Sequence, residues 1–167
     1  MNKIACVALS TLLGSAGIAA AATSSDQTFM TKAIQGDMAE VQMGQLAQQK
    51  GGNQDVKSFG QMLVNDHQAN EQKADKVASQ IGVTPPASPS AKQQAAYQRL
   101  SKLSGAVFDR AFARAMVTDH KKNIAQFRRE ARGGHNAVAQ YAAQTLPTLR
   151  KHLRVAEQIE HDGGRKR

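Results

Sequence analysis

Two stretches of the sequence share one phrase: LVNDHQAN at residues 63–70 and MVTDHKKN at residues 116–123. Each places Asp beside His and an Asn three residues after the His. Imidazole is the side chain that titrates nearest neutral pH and a common transition-metal ligand, so His67 and His120 are the first places to look for chemistry. A helix buries positions three and four apart. That rule puts His67 and Asn70 mid-stripe on Val56, Phe59, Leu63, His67, Asn70, Ala74, Val77 and Ile81. It puts His120 and Asn123 on Phe112, Met116, His120, Asn123, Phe127 and Ala131, and His152 on Val138, Tyr141, Thr145, Leu149, His152, Ala156 and Ile159. A fourth stripe, Phe29, Ala33, Gly36, Glu40, Met43 and Ala47, carries one charged residue, Glu40.

Each of these four residues falls near the middle of its segment. Packed side by side, the segments bring Glu40, His67, His120 and His152 to one level. Burial without partners would cost several kcal/mol for such groups, so they must satisfy one another, hold water or hold a metal. Two readings follow. The preferred one is a buried His/Asn/Glu layer that fixes helix register in a non-enzymatic binding or stress-related envelope protein. The alternative is a mononuclear metal site with Glu40, His67, His120 and His152 as ligands and Asp66, Asn70, Glu71, Asp119 and Asn123 around them. Imidazole ligands favour Zn, Cu or Ni. The Glu-x-x-His motif of di-iron bundles is missing from the sequence, which argues against ferroxidase chemistry. Adjacent Asp and His on a helix point about 100° apart, so neither pair is a catalytic dyad. Met30, Met43, Met62 and Met116 lie on or beside apolar faces and read as core filling.

The elements that carry these residues are helices. Period and stop signals predict helices over about Asp26–Lys50, Gln54–Ile81, Gly105–Arg132 and Asn136–Glu160. Ser24, Ser25 or Asp26 is the expected first cap, Asn53 the second, and Gly163–Gly164 the last stop. VTPPASPS, holding three of the four prolines, cannot be helical. Ala91–Leu103 after it reads as a short amphipathic helix. Pro147 is expected to kink the last helix by removing the bond to the carbonyl of Ala143. The fold class is therefore all-α: a four-helix bundle of two hairpins joined by a long crossover.

Charge and the termini bound the setting. With 22 Lys and Arg against 13 Asp and Glu, the net charge is +9. Arg110, Arg114, Lys121 and Arg128 share one outer face, with Arg150, Lys151 and Arg154 on the last helix. Such a face suits weak association with anionic envelope components. Nucleic acid is not an expected partner, since aromatics are 4 % and Trp is absent. Residues 1–22 show the Lys3 charge, apolar run and Ala-rich end of a cleaved secretory signal peptide, which places the mature chain in the periplasm. Residues 23–162 are the helical domain and 163–167 a basic tail. The one cysteine, Cys6, lies in the leader, so the mature chain has neither disulfides nor Cys ligands, and no later segment is apolar enough to span a membrane.

The runs FMTKAIQGDMAEVQMGQLAQQK, VKSFGQMLVNDH, LSGAVFDRAFARAMVTDH and YAAQTLPTLRKHL, spread over about residues 26–160, resemble the bacterial exported family called domain of unknown function 4142. The resemblance implies a ferritin-like fold and an exported setting. It implies no reaction.

Overall fold

The computed structural model describes residues 23–165, which form five α-helices. The predicted leader lies outside them, as do residues 166 and 167 of the basic tail. Helix α1 spans Ser24–Lys50, α2 Gln54–Gln80, α3 Ala91–Ser101, α4 Gly105–Ala131 and α5 Ala137–Arg165.

Local signals explain most of these ends. Thr23, rather than the following serines, caps α1. Its Oγ1 accepts from the Asp26 amide at 3.1 Å, and the Asp26 carboxylate accepts from the Thr23 amide at 2.9 Å. This reciprocal box satisfies two otherwise orphaned donors. Asn53 caps α2 by accepting from the Asp55 amide. Helix α2 ends where Gly82 adopts φ +71°. There the Gly82 and Val83 amides bond back to the carbonyls of Ser79 and Ala78, a closure that needs a residue without a Cβ penalty.

One predicted feature of α5 differs. The helix runs through Gly163 and Gly164 to Arg165. Glycine stops a helix by supplying a left-handed turn, and here the chain does not turn, so both glycines stay helical. Pro147 also lies inside α5. Both Pro147 and Ala143 are exposed, so the carbonyl freed by the proline faces water, where its loss of a partner costs little.

Two apolar clusters form the core. One gathers Leu46, Phe59, Leu63, Phe108, Phe112 and Ile159 with Leu100 of α3; the other gathers Phe29, Ile34, Ala74, Phe127, Tyr141 and Leu149. Along α1 and α5 the chain passes from the second cluster to the first, and along α2 and α4 from the first to the second. Helices α1 and α2 are thus antiparallel, as are α4 and α5, while α2 and α4 point the same way. The segment after α2 must return along the length of the domain, which the proline-rich stretch and α3 accomplish. Met30, Met43 and Met116 are core residues, with Met62 packed against the first cluster.

Helices α1 and α2 meet closely at a glycine pair. A Cβ on Gly44 would lie 2.5 Å from the Gly60 carbonyl oxygen, and one on Gly60 equally close to that of Gly44. The α1–α2 turn is fastened to α4 by Asp109, whose carboxylate accepts from the Gly52 and Asn53 amides at 2.9 and 3.0 Å.

Candidate metal centre

Between the two apolar clusters lies a layer of buried polar side chains: Asp37 and Glu40 from α1, His67 and Asn70 from α2, His120 from α4, and Thr145 and His152 from α5. His120 and His152 are fully buried, and His67 is 4 % exposed. One ring nitrogen from each of the three lies within 4.8 Å of the others.

The hydrogen bonds fix which nitrogens these are. His67 Nδ1 is 2.7 Å from Asp37 Oδ1, and His152 Nε2 is 2.9 Å from Asp66 Oδ2. A carboxylate only accepts, so both nitrogens carry hydrogen. His120 Nδ1 lies 3.0 Å from the Met116 carbonyl oxygen, so it too donates. In a ring that carries a single hydrogen the other nitrogen holds a lone pair, and here those nitrogens are His67 Nε2, His120 Nε2 and His152 Nδ1. His120 Nε2 and His152 Nδ1 are 3.4 Å apart, acceptor against acceptor. His67 Nε2 is buried with no hydrogen-bond partner. Reversing the His120 tautomer removes the first conflict but sets a lone pair against the Met116 carbonyl.

Protonation of His120 or His152 does not relieve this at neutral pH. Burial, followed by the neighbouring His67 and His152, lowers the His120 pKa to about 3. Burial and then His67 lower His152 to about 4, although its Asp66 partner pulls upward. Both rings are therefore neutral, as metal binding requires. Burial raises Asp66, but the His152 hydrogen bond and Lys151 outweigh it, and its carboxyl stays below the ordinary value.

The Asp-His phrase does two different things. Asp66 orients His152 on another helix, not its neighbour His67. Asp119 instead hydrogen-bonds Glu40 and accepts from Asn123 at 2.8 Å. Glu40 does not join the three imidazole nitrogens. Burial, then the Asp119 charge and hydrogen bond, push its pKa well up; the carboxyl bonds across to Asp119 of α4, and its Oε2 is buried without a hydrogen-bond partner. Asn123 is half-buried and turned to its own helix, not into the layer. Glu71 is half-buried as well; burial and the charges of Asp37 and Asp75 raise its pKa.

Asp37 is the buried polar residue of this layer that stripe reading passes over. Besides His67, its carboxylate accepts from Asn70 Nδ2 at 3.1 and 2.9 Å and from the Tyr141 hydroxyl at 3.4 Å. Thr145 donates to Asn70 Oδ1 at 3.0 Å. The signal was present: Asp37 is four residues after Ala33 and three before Glu40. The stripe ran through Gly36 instead, but Gly36 is only half-buried.

The comparisons with known proteins agree with this architecture. The chain belongs to the family DUF4142, a domain of unknown function, whose profile matches residues 13–159. Among solved structures, the crystal structure of a DUF305 fragment from Deinococcus radiodurans is similar, with a TM-score of 0.74 at 17 % identity. The alignment covers 84 % of this chain and 98 % of that one. At that identity the likeness is one of fold. No curated protein matches the chain. No helix among the described residues is long and apolar enough to cross a membrane.

Proposed function

We propose that this is a metal-binding protein that holds one transition-metal ion on His67, His120 and His152, inside a ferritin-like four-helix bundle exported to the periplasm. One observation carries the reading: three buried imidazoles, two of them held neutral by burial, each anchor one nitrogen outward on an oxygen and turn the other toward the same point. A layer serving register alone would pair its polar groups. A water molecule donates two hydrogens and leaves the third lone pair unmet, whereas a cation accepts from all three. The anchors Asp37, Asp66 and the Met116 carbonyl are the outer partners that metal-bound histidines have elsewhere. A tetrahedral zinc site with Zn–N of 2.0–2.1 Å has ligand–ligand edges of about 3.3–3.4 Å, and His120 Nε2 and His152 Nδ1 stand 3.4 Å apart. Neutral nitrogen donors suit Zn, Cu or Ni.

Support for export comes from the leader-like composition of residues 1–22. The basic α4–α5 face supports weak association with anionic envelope components, although Lys121 and Arg114 are already paired with Glu157 and Glu160 of α5. The test of the metal reading is titration calorimetry on untagged, chelator-stripped mature chain with Zn²⁺, Cu²⁺ and Ni²⁺ in turn. The expected result is one equivalent of at least one metal, abolished in His67→Ala and His120→Ala with helicity retained. No binding of any of the three ions rejects it.

A further inference from the structure

The three imidazoles are buried, so an ion needs a way in, and their outer partners differ in how firmly they hold. Asp37, with a side chain 5 % exposed, is held by donors from His67, Asn70 and Tyr141. The partner of His120 is a carbonyl of its own helix, on a residue 3 % exposed. The partner of His152 is Asp66, whose side chain is 31 % exposed and whose Oδ2 also takes the Lys151 ammonium at 3.4 Å.

We propose that Asp66 captures the cation at the α2–α5 seam and that His152 is the ligand that swings to admit it, while His67 and His120 stay fixed. The inference rests on the metal-binding reading above. Releasing the His152 ring breaks one hydrogen bond, to a carboxylate that water already reaches. Releasing His67 would dismantle a buried network, and His120 is tied to its own backbone. At the port the incoming dication competes with Lys151 for the Asp66 carboxylate. The protein thus carries its own cationic plug, half-exposed and free to swing aside.

The experiment is stopped-flow transfer of Zn²⁺ from a fluorescent chelator to the apo mature chain at 0.15 M salt. Removing one positive charge roughly 5 Å from a dication's path raises its local concentration about fourfold at that ionic strength. Lys151→Gln should therefore bind and release zinc faster, with association up about fourfold. Asp66→Asn should slow association by about the same factor. Asp37→Asn also loosens a ligand, but away from the seam, so it should speed release and leave association unchanged. Lys121→Gln, on another part of the surface, should match the wild type. If zinc binds but Lys151→Gln and Asp66→Asn associate at the wild-type rate, or Asp37→Asn slows association as much as Asp66→Asn does, the port is wrong and the metal site stands. If the wild type binds no zinc, copper or nickel at equilibrium, both readings fall together.

Discussion

Holding two histidines neutral in the core makes stability depend on pH. The unfolded chain takes up a proton on each imidazole as the pH falls through about 6.5. The folded chain keeps His152 neutral to about 4 and His120 to about 3. Their contribution is therefore complete above about pH 6.5 and is lost progressively as the pH drops toward the folded values. Between pH 7 and pH 5 each imidazole costs about 2 kcal/mol, or about 4 kcal/mol for the two. That is a large share of the 5–15 kcal/mol typical of a domain. Glu40 acts in the opposite sense. Its folded pKa lies above the ordinary value, so the folded chain takes the proton first, and this contribution grows as the pH falls. In the wild type it masks part of the histidine loss.

Glu40→Gln removes the largest part of the mask; Glu71 and Glu130 are also raised, but less than Glu40. The assay is urea unfolding followed by circular dichroism at pH 7, 6 and 5, with a chelator present to keep metal from stabilising the folded state. Glu40→Gln should lose about 4 kcal/mol between pH 7 and 5, more than the wild type loses. Adding His120→Gln and His152→Gln should flatten the profile. A Glu40→Gln profile that stays flat over this range, or an equal slope after both histidines are replaced, would refute the claim that these rings are held neutral.

Other outcomes follow from the same contacts. Asp37→Ala leaves the His67 N–H buried without its acceptor and the Asn70 amide with the Tyr141 hydroxyl alone, and should destabilise by about 3–5 kcal/mol, read as a shift in urea midpoint. Gly44→Ala places a methyl 2.5 Å from the Gly60 carbonyl oxygen and 2.9 Å from Val64 Cγ2. It should force α1 and α2 apart and cost about 2 kcal/mol or more, visible as a lower melting temperature. The metal stoichiometry and the zinc association rates described above complete the set.

Periodicity made the helices and the three histidines legible, because each His falls on a stripe whose other members are mostly apolar. It was weaker wherever a helix buries more than a narrow line. Helix α1 packs against α2 on one side and touches α3 and α4 on others, and so hides Met30, Ile34 and Asp37 as well as the predicted stripe apart from Gly36. On α2, Val77 and Ile81 end half-buried while Ala78 takes the core position, since the stripe drifts around the helix over seven turns. Hydrogen-bond partners were the least legible feature. That Asp66 serves His152, 86 residues away, depends on how two helices cross, and spacing within one helix carries no such information.

The polar layer splits into two parts with different chemistry. Asp37, Asn70, Tyr141 and Thr145 bond to one another across α1, α2 and α5. Burial together with the Asp37 charge pushes the Tyr141 phenol well up, so it remains a donor. This part is internally satisfied and specifies how three helices align, which is the work the register reading assigned to the whole layer. The histidine part is not self-satisfied: its donors all point outward to fixed oxygens and its acceptors all point inward to one another. The two parts meet at Asp37, which anchors both Asn70 and His67. A helix slip that broke the first part would therefore also misdirect the His67 lone pair. In the proposed reading the satisfied half is what holds the unsatisfied half open, with its acceptors waiting for a cation instead of collapsing onto other donors.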